Sequence, residues 1–339
     1  MKNSIFKSFA VALAFSCVVS AVALAQAPRG AAGARAVPGL SSSLPPSDAV
    51  ALINVNRVLD EALPKLMAEN PAKLAEVNDE LARFKTQTGL DPRSFHQIAL
   101  GLNYTHPSEG ITKINTVAIA NGTFNAGALV AAGRLAANGK YVERKYQGKT
   151  IYVFSLDRQV KLLGLWNIKV SDLAITSIDR NMLALGSLES VQGVIEANRT
   201  RKHANPQLIE LASRDPNAIM GFGGNISGSL MQTLRRTNDN LARELTAVRQ
   251  VYGSLGMTST DLELMLAART VDPDSAKNLS DTLEGLMQLG TLFLGRLSPA
   301  RETLARSALK NLKVTTQGNE LQIRTAVAQS QVAPLMRGY

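Results

Sequence analysis

Hydrophobic spacing divides the chain into short continuous or alternating apolar runs and longer stretches with a three-to-four-residue period. AVALINV (49–55), apolar but for Asn54, is a short buried-strand candidate. From Arg57 the spacing turns helical, and Pro71 after Asn70 restarts the helix at a first helical position. Leu74, Val77, Leu81 and Phe84 then mark one helix face, with Gly89 as a C-cap candidate. HQIALGLNY (96–104) and INTVAIAN (114–121) read as strands around a loop with Pro107 and Gly110, and FNAGALVAAGRLAA (124–137) reads as a helix. KYVERKY and KTIYVFSL form a hairpin at Gln147-Gly148. SDLAITSI (171–178) and MLALGS (182–187) form a second one, followed by the helix LESVQGVIEAN (188–198).

The rest of the chain repeats much of this order. AIMGF (218–222) reads as a strand, and Leu234, Leu241, Leu245, Val248 and Tyr252 predict a long helix after it. LELMLAART (262–270) is a strand, and Leu279, Leu283, Leu286, Gly290, Phe293 and Leu297 stripe a helix over 275–297. Ser298-Pro299 restarts another helix, LKVTTQ and ELQIRTAV form a hairpin at Gln317-Gly318-Asn319, and QVAPLM begins a final helix. Ala218 matches Ala49, Gly256 matches Gly89 and Gly318 matches Gly148, at offsets of 169, 167 and 170. The expectation is an α+β fold of two tandem related units, each an antiparallel sheet covered by helices. The first unit spans 48–205, with an extra hairpin-helix at 171–198, and the second spans 206–339.

The glycine-rich stretch AIMGFGGNISGS (218–229) follows an apolar run and precedes a helical pattern, as a phosphate-cradling loop would. It lacks the Lys-Ser/Thr of a P-loop and the G-x-G-x-x-G spacing of a dinucleotide fingerprint. Its counterpart in the first unit, AVALINVNRVLD, makes the same passage without glycine. The stretch is therefore read as a structural turn from strand to helix.

The first residues add a compartment. Lys2 and Lys7 precede an apolar stretch from Phe9 to Leu24, and Ala23-Leu24-Ala25 before Gln26 fits a signal-peptide cleavage site. Residues 1–25 are read as a signal peptide and 26–47, rich in Ala, Gly, Pro and Ser, as a flexible linker. The expected location is periplasmic or extracellular, with no transmembrane segment in the mature chain. The single cysteine, Cys17, would leave with the signal peptide, so disulfides, thiolate metal sites and cysteine nucleophiles are not expected.

The net charge of +10 falls to +8 without Lys2 and Lys7, since residues 1–25 hold no acid. The basic residues are scattered. Arg199-Thr200-Arg201-Lys202 and Arg235-Arg236 are the densest clusters, and neither is interleaved with aromatics. A solvated basic surface is expected rather than a nucleic-acid site, leaving an anionic surface, an envelope protein or an apolar ligand as partner classes.

Candidate chemistry is sparse. His96, His106 and His203 have no metal-ligand spacing, and no HExxH or G-x-S-x-G motif occurs. Ser227 has no histidine supplied to it by the sequence. Asp60-Glu61, Asp79-Glu80 and Asp239 sit on polar helix faces, and aromatics make up only 5% of the chain, which disfavours a sugar cleft with paired carboxylates. Asp272-Pro273-Asp274-Ser275 reads as a helix N-cap rather than a calcium loop. No catalytic, cofactor-binding or metal residue and no cofactor is assigned.

Three patterns together carry a resemblance. DEALPKLMAENPAKLAEVNDELARFKTQTGLDPR lies between two strands; Tyr146, Gly148, Ile151 and Tyr152 form a Y-x-G-x-x-I-Y motif; LAITSIDRNMLALGSLESVQGVI follows. Over roughly 45–337 the chain resembles exported bacterial proteins of the domain-of-unknown-function type. That resemblance implies no reaction. The expectation is an exported, non-enzymatic binding or scaffold protein. The alternatives are a carrier of an apolar ligand in a groove between sheet and helices, and a hydrolase with an unrecognised site.

Overall fold

The structure is a computed structural model that describes residues 40, 43–88, 91–108, 111–137, 140–162, 166–226, 228, 231, 245–291 and 294–332. Its apolar runs pair into twelve described strands: β1 (Ala49–Asn54), β2 (Phe95–Ser108), β3 (Ile111–Gly122), β4 (Tyr141–Tyr146), β5 (Lys149–Leu162), β6 (Trp166–Asp179), β7 (Met182–Gly186), β8 (Ala218–Asn225), β9 (Val248–Met257), β10 (Asp261–Thr270), β11 (Lys313–Gln317) and β12 (Glu320–Ala328). They form one sheet in the order β11-β12-β10-β9-β8-β1-β2-β3-β7-β6-β5-β4. Every neighbouring pair is antiparallel.

The described helices are α1 (Leu63–Leu66), led in by a π-helical stretch Arg57–Ala62, then α2 (Pro71–Thr88), α3 (Ala126–Ala136), α4 (Leu188–Thr200), α5 (Pro206–Ala212), α6 (Pro273–Thr291), α7 (Pro299–Lys310) and α8 (Gln329–Val332). The fold is α+β with one large antiparallel sheet. The expected pair of separate sheets gives way to a single one because β1 and β8, the first strands of the two halves, hydrogen-bond to each other from Ala49↔Gly224 to Ile53↔Met220.

Side-chain alternation along the strands sorts the core onto two faces. Ala51, Ile53, Ile98, Leu100, Ala118 and Ala120 point to one face, where Leu59 and Leu81 meet them from the helices after β1. On that same face Phe124, Ala126 and Val130 bring α3 onto Leu183, and Leu279 and Leu283 bring α6 onto Val248 and Leu321. Val50, Ala99, Val117, Ile119 and Ala184 point to the other face, under Val191, Val194 and Ile195 of α4 and Leu208 and Leu211 of α5.

Three sequence expectations are corrected. First, VRQVYGSLGM is strand β9, not the end of a long helix. Val248 and Tyr252 are four residues apart, a step that suits a helix, but in β9 the register slips by one residue between Gln250 and Val248, so Val248 turns to the α6 face while Tyr252 faces α5. The part of that expectation over 234–244 lies outside the described residues.

Second, the glycine-rich stretch is not a turn over 218–225. β8 runs straight through Gly221, Gly223 and Gly224 as a central strand. The glycines make room for α5: a Cβ on Gly221 would lie 1.9 Å from the Ala212 carbonyl oxygen, and one on Gly223 would lie 2.7 Å from that of Leu208. Ser227 lies outside the described residues.

Third, the C-terminal end of the expected linker is packed. Leu40 and Leu44 are buried beside α4 and α5, and Ala204 N donates to the Leu44 carbonyl at 2.8 Å. The rest of that linker, apart from residues 40 and 43–47, and the expected signal peptide with Cys17 lie outside the described residues.

The landmarks that suggested duplication hold only in part. Ala49 and Ala218 do open the two central strands. The strand after the expected Gly89 landmark is β2, which pairs with β1, whereas the one after Gly256 is β10, which lies between β9 and β12. Gly148 is the second central residue of its hairpin turn, with Gln147 and Gly148 both at positive φ. Gly318 is the first central residue of its own turn.

Candidate functional site

Two places gather polar chemistry on the sheet. The first lies where β9, β10 and β12 run side by side. Alternation turns Gln250, Tyr252, Arg269, Glu320, Gln322 and Arg324 to the α5 face, and the register sets Arg269 opposite both Gln250 and Glu320. Arg214, just beyond α5, reaches the same point.

The Glu320 carboxylate accepts hydrogen bonds from the Tyr252 hydroxyl, from Arg214 Nη1 at 3.1 Å, from Arg269 Nε at 3.3 Å and from Gln322 Nε2 at 2.7 Å. The Arg214 guanidinium also donates to the Tyr252 hydroxyl and lies 5.0 Å from the centre of its ring. Arg269 donates on to Gln250 and Gln250 to Asn225.

Electrostatically this cluster is closed. Partial burial opposes ionisation of Glu320, but hydrogen bonds from Tyr252, Gln322 and Arg214 outweigh it and hold the carboxyl at about 2. Burial, and then the Glu320 carboxylate, push the Tyr252 phenol up. Both groups are driven away from the neutral range in which a general acid or base works best. The cluster acts as a clamp between the end of α5 and three strands.

Beside it, Ser254 donates to Asp215 Oδ2 at 2.7 Å. Burial and the neighbouring Asp215 and Asp261 raise the Glu263 carboxyl. Serine catalysis would require a histidine here. His96 lies on β2, three strand spacings from β9, or roughly 14 Å.

The second place is a cleft of about 210 Å³ between α3 and strands β5 and β6. Gly127 and Ala131, one turn apart, leave one wall low, Val130 and Tyr152 supply apolar surface, and Arg134 supplies a cation. The Arg134 guanidinium lies 4.9 Å from the Tyr152 ring centre and 5.3 Å from that of Tyr141. Its Nε donates to the Tyr141 hydroxyl at 3.0 Å, and its Nη2 pairs with Glu143 at 3.2 Å. That ion pair is exposed, hence weak and screened by salt. A smaller cleft of about 40 Å³ lies between β1, β8 and the end of α5.

The residues singled out in the sequence are scattered. His96 is half-buried on β2, and the side chain of His106 on the same strand lies outside the described residues. His203 sits between α4 and α5, its Nδ1 buried with no hydrogen-bond partner. Asp60 pairs with Arg93 at 3.3 Å and Glu61 with Arg57 at 3.0 Å. Asp79 and Glu80 lie on α2, and Asp239 lies outside the described residues. Asp272 accepts from Ser275 N at 2.7 Å and caps α6, which holds its carboxyl below the ordinary range. Arg199 pairs with Glu196, and Arg235-Arg236 lies outside the described residues. Among the described residues no group of three His, Cys, Asp or Glu side chains could hold a metal ion.

The structure also brings forward residues that periodicity passed over. Glu320, Gln322 and Arg324 alternate as polar positions in a strand with buried neighbours. Arg134 is the only charge in the helical sequence AGALVAAGRLA. Both were visible as polar intrusions in apolar patterns. Arg214 joins them only through the packing of α5.

No protein-family model and no curated protein matches the chain. Among solved structures it is similar to three crystal forms of TP0453. Form IV is 10% identical, with a TM-score of 0.45, over 89% of this chain and 97% of that one. Form III is 9% identical, with a TM-score of 0.42, over 90% and 99% of the two chains. Form I is 10% identical, with a TM-score of 0.41, over 89% and 98%. At such scores no residue's role is carried over from them.

Proposed function

We propose that the protein is an exported, non-enzymatic binding or scaffold protein of the bacterial cell envelope. The pairing of its strongest polar cluster carries this reading. Glu320, Tyr252, Arg214 and Arg269 satisfy one another, and the Glu320 carboxyl and the Tyr252 phenol are both moved away from neutrality. A catalytic pair would be tuned towards it. Export rests on the N-terminal pattern of Lys2, Lys7 and Ala23-Leu24-Ala25. No described helix is long and apolar enough to cross a membrane.

We also propose that residues 48–205 and 206–339 are related units. Outward from the central pair run β1-β2-β3 on one side and β8-β9-β10 on the other. After the third strand, each half places a helix, α3 or α6, on the same face of the sheet. This supports duplication with β2 matched to β9, in place of the match suggested by Gly89 and Gly256. A superposition of β1–β3 on β8–β10 that put α3 and α6 on opposite faces would end the idea.

A carrier of an apolar ligand gains less support, since both described clefts are smaller than the ~300 Å³ at which drug-sized pockets begin. Three measurements on protein purified from the envelope fraction test the reading. N-terminal sequencing should begin at Gln26. Native mass spectrometry should show no stoichiometric lipid. A panel of ester, peptide and glycoside substrates should not be turned over. A retained Met1, or lipid on Cys17, would overturn cleavage after Ala25. A co-purifying lipid would favour the carrier, and turnover abolished by Ser254→Ala would favour the hydrolase.

A further inference from the structure

We infer that the cleft between α3 and strands β5 and β6 binds a small carboxylate with a compact apolar body, held by Arg134. The inference rests on the binding reading above and assigns it a site and a ligand class. Three observations converge on it. The space is about 210 Å³, too small for a drug-sized ligand or a lipid chain and adequate for a compact one. Its apolar walls are Val130, Ala131 and Tyr152, so the ligand's body should be apolar.

The cation is preorganised. Arg134 lies against the rings of Tyr141 and Tyr152 and is fixed through Nε by the Tyr141 hydroxyl. A planar guanidinium held in this way presents its remaining N–H groups in the fork that a carboxylate matches. Glu143 already occupies part of that fork at 3.2 Å, with about half of its side chain exposed. Glu143 therefore serves as a resident carboxylate that an incoming one can exchange with. It can swing into water without leaving an unpaired buried charge. Gly127, Thr150, Thr176 and Ser177 complete the lining, and the backbone carbonyl of Thr150 is already taken by the Thr176 hydroxyl at 2.8 Å.

The probe is benzoate, a carboxylate on a flat apolar ring, with neutral benzamide as its control. Amide signals of residues 127–134 and 150–152 are followed by NMR on the whole protein, at concentrations up to roughly 10 mM. Benzoate should shift these signals saturably, and benzamide should bind at least about tenfold more weakly. Arg134→Gln should weaken benzoate by about tenfold or more. Ala131→Leu, which fills the cleft, should abolish binding while distant signals stay in place. Glu143→Gln, which removes the competing carboxylate, should tighten it.

No saturable shift at these amides would overturn the proposal. So would equal binding of benzamide, or benzoate binding indifferent to Arg134→Gln. The benzamide comparison uses the unaltered protein, so it stands even if a variant fails to fold. Failure here would leave the N-terminal, lipid and turnover tests untouched, and failure there would leave this titration interpretable.

Discussion

Replacing Gly221 by alanine should strike the protein hard, although the change adds a single methyl group. The new Cβ would sit 1.9 Å from the carbonyl oxygen of Ala212 and 3.0 Å from its carbon. Both are backbone atoms, so no side chain can swing aside. β8 cannot retreat either, because β1 and β9 hold it on both edges. The end of α5 must therefore lift by at least about 1 Å to reach the 3.0 Å that real contacts respect. Overpacking of this kind costs ~1–3 kcal/mol. Lifting α5 also loosens Leu208 and Leu211, which are 0% and 3% exposed. Burial of such a side chain is worth ~1.5–3 kcal/mol, and losing a third of it at both adds about 1–2 kcal/mol. The sum is ~2–5 kcal/mol, against a typical margin of ~5–15 kcal/mol. Urea unfolding followed by circular dichroism should show a midpoint lowered by about 1 M or more. Gly285→Ala is the control. Its Cβ would meet nothing within 4 Å in α6, and helix propensity predicts a gain of ~0.5–1 kcal/mol. If Gly221→Ala lies within ~0.5 kcal/mol of the parent protein, the close-approach account of the glycine-rich strand is refuted.

Other consequences are equally specific. Leu279→Ala, which removes the α6 contact with Val248 and Leu321, should cost ~2–5 kcal/mol in the same urea assay. The side chain of Leu286, on the stripe expected to face the sheet, lies outside the described residues and gives a weaker test. Leu44→Ala should destabilise by a similar ~2–5 kcal/mol if residues 43–47 belong to the core, and by almost nothing if they are a linker. Glu320 has a folded pKa of about 2 against an ordinary 4.5, so its stabilisation is present above pH 4.5 and fades as pH falls from 4.5 towards 2. The full shift would be about 3 kcal/mol, and solvent screening at the partly exposed arginines reduces the expected share to roughly 1–2 kcal/mol. Glu320→Gln should therefore lower stability at pH 7 and flatten the acid limb between pH 4.5 and 2. An unchanged acid limb would show that the clamp contributes nothing.

The sequence alone determined the local order of the chain. Nearest-neighbour patterns carry that information: Pro71 and Pro299 open helices where periodicity restarts, and Gly148 and Gly318 sit in the hairpin turns. The α+β class followed from those patterns, because hairpins build antiparallel sheets. Only the tertiary structure decided that one sheet runs through both halves, since the β1–β8 pair joins residues some 170 positions apart and a strand edge does not encode its partner. Val248 and Tyr252 carry a helix-like four-residue step, and only the pairing with β8 and β10, with its one-residue slip beside Val248, makes this segment the strand β9. The glycines of β8 looked like a loop because their purpose lies outside the strand, in the backbone of α5 that crosses them. The assembly of the two polar sites was hidden for the same reason, although their residues stood out as polar intrusions. Arg214, Tyr252 and Glu320 are separated by 38 and 68 residues, and Arg134 meets Tyr141 and Tyr152 only when a helix folds down onto a hairpin. Periodicity records which face a side chain occupies. The neighbours it finds there depend on how the helices pack across the sheet.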